Sequence, residues 1–251
     1  MLGVNMKKIT LVRHDLVFII LFVFLVGFIG GLQLAPQNFQ KPANITEGRI
    51  IRMILPAVDS EGNGVVGILS TTVKPGTGKI LVDTSKVLNY LDTQLSARTA
   101  ASVASNYEKM DLGNIDITYT IDVNASIIEG PSAGAAMAIS VLLALENKTP
   151  GDTTITGTIN PDGSIGRIGA VYEKAVAAKE NGATIFLVPT GQSTAEITNR
   201  TRTCEMRGSY QLCKINYSTR AVNIGEELNI TVREVANIKE AYKYFIGNKT
   251  A

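Results

Sequence analysis

Glu129-Gly130-Pro131-Ser132-Ala133-Gly134-Ala135-Ala136-Met137-Ala138-Ile139-Ser140 opens with turn formers and runs into a small, apolar segment that ends near Leu145. Pro131 suits the first turn of a helix, where its missing N–H leaves no bond unmade. Ser132 is thereby placed at or beside a helix N-terminus, where unpaired backbone N–H groups and the helix dipole favour negative charge. Ala133, Gly134, Ala135 and Ala136 carry almost no side chain, so another backbone or a substrate can come close. A hydroxyl beside N–H donors is the pairing that acyl transfer needs, a nucleophile next to an oxyanion site. The competing reading is that Ser132 caps a core helix, as serine commonly does. On these residues alone both readings stand.

A nucleophilic serine needs a base. The chain has one histidine, His14, and it precedes a hydrophobic N-terminal run, so neither a Ser-His-Asp triad nor a histidine-ligated metal is available to the remainder. Two cysteines are too few for a four-ligand structural zinc. A desolvated lysine or a raised carboxylate is left as the base. Gly169 to Glu180 reads as an amphipathic helix in which Val171, Ala175 and Ala178 share one stripe and Glu173 and Glu180 oppose it. Lys174 falls at the apolar edge beside Ala177 and Ala178, whereas Lys179 lies next to Tyr172 with an easy route to solvent. A lysine on a small-residue face is partly buried, which lowers its pKa. The alternative is a side chain that snorkels to water.

Taken together, Gly130-Pro131-Ser132-Ala133-Gly134, then Ile155-Thr156-Gly157, then Ile168-Gly169-Ala170-Val171-Tyr172-Glu173-Lys174 resemble the proteolytic domain of the Lon proteases. The similarity covers roughly residues 48–190 and 228–246, with the lysine about forty residues after the serine. The resemblance implies that Ser132 is the nucleophile, Lys174 the base, and Thr156 a hydroxyl that orients the lysine. It places Glu129 where the family carries an acid beside the serine, with Gly130 and Ala133 supporting the nucleophile turn. It further implies polypeptide substrates and a homo-oligomer, a hexameric ring. No metal and no cofactor is expected.

The 251 residues leave room for one substantial domain and an appendage, and the mixed charges, net +2, give no nucleic-acid footprint. Residues 1–15 form a basic tail with Lys7, Lys8 and Arg13. Leu16 to Leu32 is an unbroken apolar run, and residues 16–35 are long enough to span a bilayer. A cleaved signal peptide has a shorter apolar core, and Gln33 and Pro36 spoil Ala35 as a cleavage point. The reading is an uncleaved signal-anchor held in membrane lipid, with the N-terminus cytoplasmic and the rest extracytoplasmic.

Asn-X-Ser/Thr sequons start at Asn44, Asn124, Asn147, Asn199, Asn216, Asn229 and Asn248. Seven exceeds the roughly two or three that chance would place among seventeen asparagines, as on a glycosylated surface. Cys204 and Cys213 share one polar segment at a spacing that suits a small disulfide-closed loop, which an outside location favours.

Residues 36–48 read as a linker and 49–251 as the protease domain. Arg49 to Leu55, Val65 to Val73 and Ile115 to Val123 alternate as strands, Ile80 to Val82 is a short strand, and Ser85 to about Asn106 is helical. Thr153 to Ile159 reads as one strand, Ser164 to Ile168 as its return, Thr184 to Val188 as a buried strand, and Leu228 to Val232 and Ile238 to Phe245 as a final strand and helix. Residues 190–227 depart from the family, and we read them as an inserted loop carrying both cysteines.

Two glycine-rich stretches imitate nucleotide sites. Gly62-Asn63-Gly64-Val65-Val66-Gly67 is followed by a β-branched run rather than a helix. Gly76-Thr77-Gly78-Lys79 lacks the leading glycine of a P-loop and has Ile80 in place of the magnesium-binding hydroxyl. The expected fold is therefore α/β (α+β), a mixed sheet with packed helices behind one transmembrane helix. The expected function is an ATP-independent, membrane-anchored serine endopeptidase, with an archaeal surface protein as its setting. One rival is a signal-peptidase-type serine–lysine enzyme, against which the Gly-Pro-Ser-Ala-Gly context argues. The other is a catalytically silent Lon-like shell kept as a binding or assembly module.

Overall fold

The computed structural model describes residues 18, 20–26, 41–83, 91–123 and 130–247, with backbone alone at 88–89 and 127–128. Phe18 and residues 20–26 have helical backbone and exposed side chains. The expected span at 16–35 falls mostly outside the described residues, as do Glu129, Asn124 and Asn248. Among the described residues no helix is long and apolar enough to cross a membrane.

The domain from Gln40 onward is mixed α/β. Two-residue strands β1 (Lys41–Pro42) and β6 (Met110–Asp111) pair at its margin. The main sheet has the order β2-β3-β7-β4, from β2 (Arg49–Val58), β3 (Gly64–Pro75), β7 (Ile115–Val123) and β4 (Ile80–Asp83). β2, β3 and β7 run antiparallel in turn, and β4 joins β7 in parallel. The expected strands are all present: β7 has the expected bounds, and β2, β3 and β4 run longer than expected. Asp59 closes the β2–β3 turn by accepting from the N–H groups of Glu61 and Asn63.

Helix α1 (Leu91–Glu108) begins later than Ser85, because Leu88–Asn89 (β5) instead pairs with Ile127–Ile128 (β8). A 3₁₀ turn, Pro131–Ala133, leads into α2 (Gly134–Glu146). Every residue of α2 from Gly134 to Ala144 is buried, which explains an apolar surface on all sides rather than a stripe. It packs between α1 and strands β2 and β3, and Ser140 Oγ meets its polar need through Thr71 Oγ1 at 2.7 Å. Arg49 Nη1 donates to the carbonyls of Ala144 and Leu145 at 2.7 and 2.8 Å, a cation on the negative end of the same helix.

A parallel sheet of order β15-β12-β9 follows, built from β9 (Thr153–Ile155), β12 (Ile185–Pro189) and β15 (Thr231–Val235). The Thr154 hydroxyl donates to Ile54 O at 2.7 Å and ties it to β2. The single strand expected over Thr153 to Ile159 is broken at Thr156–Gly157; β10 (Thr158–Ile159) pairs instead with β11 (Ile165–Gly166). Helix α3 (Val171–Glu180) lies against β2 and β3. The strand expected at Leu228 begins only at Thr231. Asn223 accepts from the N–H groups of Gly225 and Glu226, so residues 224–228 form a short helix, α4 (Ile224–Leu228), first. Helix α5 (Ile238–Ile246) ends the described chain.

The inserted segment is not a loop. β13 (Thr194–Arg207) and β14 (Tyr210–Asn223) form a two-stranded antiparallel hairpin, fourteen residues to a strand and about 45 Å long at ~3.3 Å per residue. Cys204 and Cys213 face each other across it and are disulfide-bonded. Side chains alternate between its two faces, so Asn199, opposite Ser218, and Asn216, opposite Thr201, share one face. The other face carries Arg200 beside Tyr217, Arg202 beside Ile215, and the disulfide.

Candidate active site

Gly130 takes φ 95°, a conformation that glycine adopts without strain, and turns the chain into Pro131. Ser132 therefore sits in a tight 3₁₀ turn whose first N–H groups have no partner within the helix. Two backbone bonds hold this turn to the break in the parallel sheet: Gly157 N–H donates to Ser132 O, and Ala135 N–H to Gly157 O, both at 3.0 Å. The approach leaves no room for side chains. A Cβ on Gly157 would lie 2.4 Å from Ile165 Cγ2, and one on Gly134 would lie 2.6 Å from Ile159 Cγ2. The break that the strand expectation overlooked is thus the feature that positions the serine.

Lys174 comes from the opposite side, in the first half of α3. It is buried, with 5% of its surface exposed, whereas Lys179 one turn later is exposed. The helical edge beside Ala177 and Ala178 is buried as well, so the lysine does not snorkel. Its Nζ lies 3.0 Å from Ser132 Oγ. Burial pushes its pKa down from 10.5 to about 8, because the charged form loses its water. A charged amine donates to the hydroxyl at this distance; once neutral it can accept the hydroxyl proton. The arrangement can therefore generate an alkoxide-like serine near neutral pH without histidine or metal.

Thr156 is buried beside the same break, and its N–H donates to Leu187 O at 3.1 Å. Its hydroxyl has no hydrogen-bond partner, so the bond to Lys174 that the resemblance implied is not formed. Gly130 and Ala133 flank Ser132 as backbone, with Ala133 buried. Of the sequon asparagines, Asn44, Asn147, Asn199, Asn216 and Asn229 are exposed. Asn147 and Asn229 also end α2 and α4 in left-handed conformation, a structural use that the sequon pattern did not reveal.

A family model for the Lon protease (S16) C-terminal proteolytic domain matches residues 57–205, more than half of the chain. The chain belongs to this family. Among curated relatives it is similar to a Lon protease of Clostridioides difficile, 34% identical over 137 residues, which is 52% of this chain and 17% of that protein. It is likewise similar to a Lon protease of Phenylobacterium zucineum, 27% identical over 181 residues, covering 66% of this chain and 22% of the relative. A mitochondrial Lon protease homolog of Schizosaccharomyces pombe is 48% identical over 62 residues, 24% of this chain and 6% of its own. The match spans about a sixth to a fifth of the two longer-matching relatives.

In this Lon-type domain the two glycine-rich stretches prove structural. Gly64 lets the backbone of α3 pass; a Cβ there would stand 2.1 Å from Glu173 O. The Gly76–Lys79 turn is filled by Asp116, which accepts from Thr77 and Lys79 N–H and is held below the usual carboxylate range by them. The N–H groups of this turn are thus already bonded to a carboxylate. One further residue beside the site, Gln192, gave no motif to find, and Gly64 showed only as part of a nucleotide-like motif and not as a neighbour of α3.

Proposed function

We propose that the protein is a serine endopeptidase working through a Ser132–Lys174 dyad, anchored in a membrane and acting on polypeptides outside the cytoplasm without ATP. The observation that carries the reading is the 3.0 Å contact between Lys174 Nζ and Ser132 Oγ, with the lysine buried. Neutral Lys174 takes the proton as Ser132 Oγ attacks the scissile carbonyl. Backbone N–H groups at the start of the 3₁₀ turn and of α2 supply the donors for the developing oxyanion. The protonated amine then gives its proton to the leaving nitrogen, and water hydrolyses the acyl-enzyme by the same path in reverse.

In support of ATP independence, the two nucleotide-like stretches have structural uses: Gly64 admits the backbone of α3, and Asp116 binds the N–H groups of the Gly76–Lys79 turn. Anchoring and an outside location rest on the basic tail before the apolar run, the exposed sequons and the disulfide. A homo-oligomeric ring is the assembly that the family resemblance suggests. The silent-module alternative leaves unexplained why a lysine should be desolvated against a serine hydroxyl, an arrangement that costs stability.

A serine-reactive phosphonate applied to the full chain in membranes should label wild type at Ser132 and leave Ser132→Ala unlabelled. Equal labelling of both would remove the serine from the mechanism. Protease added to intact cells should digest the domain, and protection would place it in the cytoplasm.

A further inference from the structure

Lys174 owes its position to α3, and α3 begins in an awkward way. Its N-cap, Ala170, sits at φ 54°, ψ 44°, left-handed for a residue with a Cβ, and no side chain caps the helix. Lys174 N–H donates to the carbonyl of that same residue at 3.1 Å. Such a conformation persists only where its surroundings hold it.

The hold comes from Gln192. Its side chain, 6% exposed, accepts from Ile168 N–H at 3.0 Å and donates through Nε2 to Ile168 O at 2.7 Å. One amide thus closes both backbone groups of the residue two before the strained cap, as a neighbouring strand would. Gln192 is itself fixed. Its N–H donates to Pro189 O at 3.1 Å, and Ser193 N–H donates to Glu234 at 2.9 Å. Hydrogen bonds from Ser193 and Gly191 hold the Glu234 carboxyl down at about 2, so it stays an acceptor at every working pH. Arg167 adds a bond to Gly191 O at 3.2 Å.

We infer that Gln192 is a positioning residue for the proposed dyad: its two bonds to Ile168 set the register of α3 and so the depth at which Lys174 meets Ser132. The inference rests on the serine–lysine reading above. Glutamine suits the task by its chemistry. A side-chain amide offers a donor and an acceptor side by side without a charge that could titrate. Burial is the cause of the lowered lysine pKa. Among the described residues no charge on the packed elements contributes, neither Arg52 and Lys74 of β2 and β3, Glu196 of β13, nor Glu226 and Glu227 of α4. The depth of Lys174 is therefore what a loosened clamp would change.

The test is the rate of phosphonate labelling at Ser132 against pH, on the full chain in membranes, for wild type, Gln192→Ala and Gln192→Met. Methionine keeps the shape of glutamine and removes both bonds. Wild type should show a limb rising through about pH 8. In both variants the limb should move up by about one unit as water reaches the amine, roughly a tenfold loss of rate at pH 7 that closes by pH 10. A limb that stays in place in a folded variant would overturn the inference, whatever the plateau, and so would failure of both variants to fold. If wild-type labelling has no Lys174-dependent limb at all, the dyad fails first, and that result is seen without any Gln192 variant.

Discussion

Two regions of this domain are held together by opposite means. Around α2 and α3 nearly every side chain is buried, glycines admit backbone against backbone, and a lysine is carried into the interior against its preference for water. The β13–β14 hairpin has almost no buried side chain and depends on its ladder and one disulfide. Two-stranded ribbons without a hydrophobic face are marginal alone. The difference teaches where substitutions are felt. In the first region one methyl group matters to chemistry, because packing sets the serine–lysine distance. In the second, most side chains touch only solvent.

The strongest break in the buried region is at Lys174. Arginine keeps the charge but cannot give up its proton. Lys174→Arg should lose peptidase activity by at least about a thousandfold, the scale on which loss of a nucleophile or base registers. Lys174→Met separates activity from stability. With a folded pKa near 8 and an unfolded value of 10.5, the unfolded chain binds the extra proton between those values, so stability from this residue rises with pH across that window. At pH 7 the burial costs up to roughly 3 kcal/mol, at about 1.4 kcal/mol per pKa unit. Lys174→Met should be inactive yet more stable than wild type at pH 7, with the advantage shrinking toward pH 10.5. Denaturant unfolding at the two pH values measures this, and a methionine variant less stable at both would mean the lysine stabilises the fold.

Gly64→Ala is the next largest. Its Cβ would meet Glu173 O at 2.1 Å and Ala177 Cβ at 3.2 Å, so α3 must shift. Overpacking of this kind costs about 1–3 kcal/mol, and the shift falls on the residue before Lys174. We expect a lower unfolding midpoint together with slower Ser132 labelling. A midpoint shift with unaltered labelling would show that α3 moves without carrying the lysine off its partner.

The same contrast explains what the sequence disclosed. Ser132 and Lys174 were legible because both depend on local pattern, a turn-to-helix junction of small residues and a lysine at the edge of an alanine face. α2 was legible as a continuous apolar run, and β2, β3 and β7 through alternation. The hairpin was not. Asn199, Arg200, Thr201 and Arg202 are polar on both faces, so no period separates them, and partner strands are invisible where neither face is buried. Gln192 and Gly64 were hidden for another reason. Each acts on a backbone far away in the chain, Ile168 and Glu173, and a single glutamine in a loop or glycine at a strand end carries no mark of its partner. Thr156 shows the reverse failure, a role suggested by resemblance that side-chain geometry does not display.

The smallest effect on Ser132 labelling is expected at the hairpin's one covalent link. Replacing both cysteines, Cys204→Ser with Cys213→Ser, opens a loop of nine-residue separation, and so short a closure stabilises by about 2–3 kcal/mol at most in the chain-entropy account. That loss falls on the tip, because the roots are held separately. Thr194 pairs with Asn223, and Ile224 N–H donates to Ser193 O at 2.9 Å. Amide exchange should therefore quicken near Met206 and Leu212 and stay slow around Ala195 and Val222, while Ser132 labelling holds within about twofold, since local opening need not reach the global unit. The root lies next to Gln192, which gives the experiment its edge. If labelling at Ser132 falls with the disulfide, order in the hairpin is transmitted through Ser193 and Gln192 to Ile168, and the two regions form one cooperative unit.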